Sequence, residues 1–402
     1  MAGATGTTGA RPVSGGVQSK FNGKLLATLQ DPGATYFDQF GYSTAISGSI
    51  AVVGAPGGTG YGRTYIFERG TSGWSTTPAV TLDNPDDVPY FGSAVAVSGS
   101  IIVVGAYGIS GDGQAPPGAA YIYVEGADGW PTSPTASLPD PGADNKDGFG
   151  WSVAVSGGNV VVGAPREDGG TGDTYLYSET GGRFPTIPTA VFPDPTPTDV
   201  NDDGISVALA GRTLAVGADG TQSPIDSPGS AFLYIAGKHG WPTHPTVTLD
   251  DPLATDYDAF GSAVALSGRT LIVGARGTPN PDYPGAAYQY VKTPTGWPTT
   301  PTAVLGRVNA EEDPQHYFGY AVATNGSISV VGAPGAYVGP TALYVYVEKS
   351  EDWPYEPTFE PGDPNSAGYD GYGETLAMTG DTVITGAWQA DDYDGAAYIY
   401  RF

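Results

Sequence analysis

The sequence predicts an all-β fold, a seven-bladed β-propeller of four-stranded antiparallel blades. Three observations predict it. One motif recurs seven times at nearly even spacing. Each copy divides into four short strand-like segments. The segment missing from the last copy stands near the front of the chain. Composition agrees: 62 Gly and 36 Pro in 402 residues interrupt any long helix, and the residues between them favour strands.

The motif is an apolar pair followed by Gly-Ala, with its glycines at Gly54, Gly105, Gly163, Gly217, Gly274, Gly332 and Gly386. Successive spacings of 51, 58, 54, 57, 58 and 54 residues fit one supersecondary unit per copy. Strand one is small and alternating, as in "GSAVAV", because inner strands converge on an axis where bulky side chains would collide. It follows Phe-Gly at Phe40, Phe91, Phe149, Phe260 and Phe318, Tyr-Gly at Tyr372, and no aromatic in the fourth copy, "DDGISVAL". A Gly-bearing turn such as "VSGG" leads to strand two, an unbroken apolar run such as "NVVVGA" that suits burial on both faces. Strand three is Tyr-rich ("AYIYV"), and strand four reads "PTAVL" or similar.

The last copy stops at Phe402 after its third strand, while "GKLLATLQDP", Gly23 to Pro32, is a fourth strand with no strands one to three before it. Lys24–Leu29 is therefore expected beside Ala396–Phe402, closing a ring and leaving no open edge between the first and last blades. A linear solenoid has no reason to split one unit across its two ends. Residues 1–22 form a Gly/Thr-rich tail, flexible by composition, and residues 23–402 form a single propeller.

The stretch "FGSAVAVSGSIIVVGA" and its siblings resemble the FG-GAP repeat family. Such repeats build the seven-bladed propeller at the head of integrin α subunits and of many bacterial and algal surface proteins. The resemblance spans roughly residues 23–402 and implies a propeller that binds partners outside the cell or at its surface. Integrin-type repeats hold calcium in an Asp-rich loop between strands one and two. Tight turns stand there in every copy of this chain, so those calcium positions do not carry over. The short-turn bacterial repeat is the closer likeness.

A net charge of −26 and a pI near 4.1 exclude a phosphate-binding surface, so nucleic acid is not an expected partner. There is no Cys, hence no disulfide, thiolate metal site or Cys nucleophile. No apolar run reaches transmembrane length, so membrane insertion is not expected, and the first residues lack the apolar core of a signal peptide.

Comparing copies locates the expected site. Turns one–two and three–four repeat, whereas the two–three loops differ in every copy, and loops free of a repeated packing role can carry recognition. Candidate ligand contacts are Arg166 and Asp168 in "PREDGGTGD" and Trp388, Asp391, Asp392 and Asp394 in "WQADDYDG". Trp74, Trp130, Trp241, Trp297 and Trp353, with Phe184 in one copy, recur at the "GWP" turns and are expected to pack over blade edges. Trp151 and Trp388 break that pattern. A candidate calcium loop is "DVNDDG": Asp199, Asn201 and Asp203 alternate and Gly204 follows, although Ala210 stands where a bidentate Glu would close the site. Asp-Pro at Asp31, Asp140, Asp194, Asp251 and Asp363 reads as a turn. The three His, His239, His244 and His316, form no catalytic spacing.

The expected function is non-enzymatic extracellular binding or adhesion, toward a protein or glycan on the variable face. The N-terminal tail is a candidate arm for self-assembly into a surface structure. A carbohydrate-binding lectin is the alternative within binding, and a polysaccharide-acting enzyme on a propeller scaffold is the alternative from another class.

Overall fold

The computed structural model describes residues 23–33, 37–57, 62–109, 116–142, 147–166, 170–196, 202–220, 228–253, 258–277, 285–306, 317–335, 341–350, 352–365 and 370–402. The tail of residues 1–22, with its expected assembly role, lies outside them, as do Asp168, Asp199, Asn201 and His316. The described chain forms seven antiparallel sheets arranged as blades. The innermost strands are Ser43–Ser47, Ala94–Ser98, Ser152–Ser156, Ser206–Ala210, Phe260–Ser267, Ala321–Thr324 and Leu376–Thr379. Each pairs with the apolar run that follows it, then the Tyr-rich strand, then an outermost strand. A one-turn helix, Ala390–Tyr393, is the only helix among the described residues.

The ring closes as the sequence predicts. Lys24–Gln30 is the outermost strand of blade seven, antiparallel to Ala396–Arg401, with Lys24 opposite Arg401 and Gln30 opposite Ala396. Blade six departs from the four-strand pattern. Its sheet has three strands, and the expected fourth is reduced to single bridges at Phe359 and Gly362. The cause is local: in "TFEPGDP", Pro361 has no N–H to offer a ladder and fixes its own φ.

The core lies between blades. Seven clusters of buried side chains are present among the described residues, one at each seam. At the closing seam Leu29, Ile384 and Ile399 of blade seven meet Phe40, Val53 and Phe67 at blade one. The Phe of Phe-Gly is fully or almost fully buried at Phe40, Phe91, Phe149, Phe260 and Phe318. Its ring packs on the first Tyr of the third strand, at 5.5 Å for Phe40–Tyr65 and 5.6 Å for Phe149–Tyr175.

Phe-Gly and Gly-Ala are two halves of one contact. The glycine after each Phe has φ near +90°, as at Gly92 (+91°), where L side chains are strained. Its N–H donates to the Gly-Ala glycine of its own blade, as from Gly92 to Gly105 O at 2.9 Å. Its carbonyl presses on the Gly-Ala glycine of the preceding blade: a Cβ on Gly54 would meet Gly92 O at 1.9 Å, and one on Gly386 would meet Gly41 O at 1.8 Å. Only hydrogen fits there, so the motif repeats wherever two blades touch.

Candidate functional site

The residue after the seam glycine of each blade and four of the residues that follow Gly-Ala face one axial space, at the end of the ring that also carries the two–three loops and blade connections. There they enclose a cavity of about 490 Å³. All seven blades contribute the first position: Tyr42, Ser93, Trp151, Ile205, Ser262, Tyr320 and Glu374. The second position adds Tyr107, Asp219, Arg276 and Trp388, and Arg166 and Asp202 complete the wall.

The wall has two characters. The arc from blade seven through blade three is aromatic. Tyr42 meets Trp388 edge-on at 5.8 Å, Tyr107 stacks on Tyr90 at 4.4 Å, and Tyr107 leans on Trp151 at 4.8 Å. The Arg166 guanidinium lies over the Trp151 ring, 5.3 Å from its centroid. The Trp388 indole N–H donates to Glu374 Oε2, so a carboxylate is fixed beside the indole. The arc of blades four and five is ionic: Arg276 Nη2 pairs with Asp219 Oδ2 at 3.2 Å across the blade seam, with Asp219 1% exposed. Arg276 also lies over Tyr320, 5.9 Å from its ring centroid. Burial pushes the hydroxyls of Tyr42, Tyr107 and Tyr320 above the ordinary phenol value, so all three stay neutral donors at physiological pH.

The expected site residues separate. Arg166 and Trp388 meet in the cavity wall, as does Trp151. The two–three loop of blade seven is tied to blade one: Gln39 N and Phe40 N donate to the carbonyls of Tyr393 and Asp394, at 3.2 and 3.3 Å. Asp391 and Asp392 belong to the short helix, and their side chains lie outside the described residues. Asp203 occupies the position that Phe takes in other copies, fully buried at the seam of blades three and four. Its Oδ1 accepts from Thr174 Oγ1 at 3.3 Å, and burial with Asp194 nearby pushes its pKa well above the ordinary carboxylate value. Among the described residues no group of three or more His, Cys, Asp or Glu is placed to hold a metal.

The "GWP" aromatics are absorbed by the core: Trp130, Trp297 and Trp353 are buried in seam clusters, and Trp74, Trp241 and Phe184 pack against others. The Asp-Pro aspartates turn the chain as read, each Oδ1 accepting the main-chain N–H two residues on, from Gly33 at 2.7 Å and Leu253 at 3.0 Å for example. On the opposite face a wider groove of about 790 Å³ runs between blades five and six, past Arg269, Thr293, Asn325 and Glu348. It is lined by turns that the repeat preserves.

Tyr42, Tyr107, Asp219, Arg276, Tyr320 and Glu374 are functional candidates that sequence reasoning missed. Their signal was a variable residue directly after a recurring seam glycine or Gly-Ala pair, seen only when the seven copies are set in register. No helix among the described residues is long and apolar enough to cross a membrane. The FG-GAP repeat family model matches residues 24–67, 74–123, 133–177, 247–290 and 363–400. The first four matches begin at or before an outermost strand, the fifth begins just after the reduced outer segment of blade six, and all five end within the third strand of the next blade. The unmatched stretches hold the blade with Asp203 in the Phe position and the blade with the broken outer strand. No curated protein sequence matches the chain. With seven blades joined by the paired Phe-Gly and Gly-Ala contact, the chain belongs to the FG-GAP repeat family.

Proposed function

We propose that this propeller is a non-enzymatic extracellular binding or adhesion module whose ligand docks on the loop face, centred on the axial cavity. The observation that carries this reading is the seven-fold position after the Phe-Gly glycine. It holds Tyr, Ser, Trp, Ile, Ser, Tyr and Glu in a frame whose packing residues barely change. Selection for packing alone repeats a residue, and a concave wall of unlike side chains suits one asymmetric ligand. FG-GAP membership supports an extracellular or surface location.

The aromatic arc favours a saccharide over a protein ligand. Trp151, Trp388 and Tyr107 are only half-buried, and carboxylates and an arginine adjoin them. Such rings stack on sugar faces while charged neighbours hydrogen-bond hydroxyls. A glycan array followed by calorimetry on the best hit tests both levels. Trp388→Ala and Arg166→Ala should each weaken binding about tenfold or more, equivalent to about 1.4 kcal/mol. Thr132→Ala, on an exposed "GWP" turn, should bind normally. Loss of binding in the turn variant with intact binding in the cavity variants would reverse the assignment of faces.

A further inference from the structure

We propose that the mouth of the axial cavity carries an outer tier of ligand contacts, Phe37, Tyr90, Tyr317 and Tyr393, which fits it to a neutral saccharide chain laid across several blades rather than to a single sugar ring. The inference rests on the saccharide reading of the cavity and adds the length and charge of the ligand. The turn that presents each first-position wall residue has the same form in all seven blades. The residue before the seam aromatic, or before Asp203 in blade four, has positive φ. Its carbonyl accepts the N–H of the wall residue three positions on at 2.9 to 3.1 Å, as Tyr90 accepts from Ser93 and Tyr317 from Tyr320.

Glycine is the residue that such a backbone favours. Two blades have it, with Gly148 at φ +71° and Gly371 at +78°, so the turn closes without a side chain. Tyr90 (+64°) and Tyr317 (+47°) hold the same place with bulky rings. Nine non-glycine residues among the described ones have positive φ. Asn and Asp tolerate that region best, yet none of the nine is Asn and four are aromatic: Tyr90, Tyr317, Phe37 (+72°) and Tyr393 (+73°). Backbone strain of this kind collects at ligand-binding sites.

All four rings lie against the cavity wall or against a ring that does. Tyr90 stacks on Tyr107 at 4.4 Å, Tyr317 meets Tyr320 edge-on at 6.3 Å, and Tyr393 lies 5.9 Å from Trp388. Phe37 extends the last pair, 5.0 Å from Tyr393. The four come from blade six, blade seven, the connection into blade one, and blade two, which follow one another around the ring. Blades one and seven, where the turn itself holds Gln39 and Gly371, are served by Phe37 and Tyr393. Blades three, four and five put Gly148, Asp202 and Ala259 at the turn, so the aromatic tier is one arc on one side of the mouth. Phe37, Tyr90 and Tyr393 are 37 to 43% exposed, so they bury little area for the fold and leave ring surface for a ligand. An arc over consecutive blades suits an elongated ligand. Charge selects a neutral one: the wall sets Asp202, Asp219 and Glu374 against Arg166 and Arg276, and the chain carries −26, so a polyanion is repelled.

The test uses the full chain and two measurements: melting without ligand, and calorimetry with cello-, manno- and chito-oligosaccharides of one to six residues. Tyr90→Gly and Tyr317→Gly should melt at or above the parent, and Tyr90→Ala below Tyr90→Gly, since Gly relieves the turn and Ala does not. The parent should bind the longer members of one series progressively tighter. Tyr90→Gly, Tyr317→Gly and Tyr393→Gly should each weaken the hexamer about tenfold and leave the shortest bound member unchanged. Tyr90→Asn, which left-handed backbone also tolerates, should bind as Tyr90→Gly does. A six-residue oligogalacturonate should bind more weakly than the neutral hexamer, and tighter binding overturns the neutral class. Affinity that does not change with length, or Gly variants that bind the hexamer as the parent does, overturns the outer tier and leaves the cavity reading standing. Gly variants that melt below the parent would show that the rings prop the fold, which also overturns it. A parent that binds no member of any series loses the saccharide reading, and this inference falls with it.

Discussion

Six seams of the ring are built with an aromatic after the blade connection, and one is not. At the seam of blades two and three, Phe149 fills the space beneath Tyr175, and Leu138 of the outermost strand completes the layer. At the seam of blades three and four, Asp203 stands in place of Phe, and the outermost strand carries Phe192 where five other blades have Leu. Phe192 packs against Tyr234 at 4.6 Å and Trp241 at 6.0 Å. Volume lost at one position is returned from the other side, as close packing demands. Glycine does not exchange in this way: Gly204 keeps a φ of +87°, and a Cβ on Gly163 would meet its carbonyl at 2.2 Å. The side chain at a seam is negotiable, whereas the backbone-to-backbone approach is not.

That contrast orders three changes by size. Gly105→Ala should be the most damaging. Its Cβ would stand 2.1 Å from Gly150 O, and neither strand can move without opening a seam. We expect a loss of about 5 kcal/mol or more in denaturant unfolding, the exceptional range for overpacking where neither backbone can yield. Gly157→Ala, at an open turn with φ of +56°, should lose only about 1–2 kcal/mol. Equal losses would mean that the seam approach is not the constraint. Phe149→Ala should follow, at about 3–5 kcal/mol by the same measurement, because the site is fully buried and its neighbours are fixed in two blades.

Asp203→Asn is the smallest change and has the opposite sign. The amide keeps an oxygen for Thr174 and removes an ionisable group from a fully buried site. We expect about 1 kcal/mol of stabilisation near neutral pH. Because the folded pKa of Asp203 is raised, the folded state holds this proton more tightly than the unfolded chain. Its contribution therefore weakens the parent as pH rises above about 4, the ordinary carboxylate value, and the advantage of the variant should shrink toward that pH. An advantage that grows on acidification would contradict this account.

Much of the fold was legible because each copy solves the same contact with the same residues. Phe-Gly and Gly-Ala announced the seams, and the split last unit announced the closure. Asp203 shows how one glycine reads two ways. Gly204 fits the sharp-turn glycine of a metal loop, and its register also marks it as a seam glycine with Asp203 buried at the seam, while Asp199 and Asn201 lie outside the described residues. Blade six lost its outer ladder to one proline, Pro361, in a segment that otherwise ends like its siblings. The cavity was least legible. Its residues come singly from seven places about fifty residues apart, and nothing local in "GYS" or "GET" separates a wall from a strand start.

The pairing of Lys24 with Arg401 has a mechanical consequence. Both residues sit at the same end of the shared strand pair. A load applied between them would open the ladder rung by rung, the weakest way to pull on hydrogen bonds. A tether at one terminus alone, with the opposing force arriving through a bound ligand, spares that zipper and spreads strain over the interlocked blades. Any anchoring of this ring that must resist tension is best made through a single end.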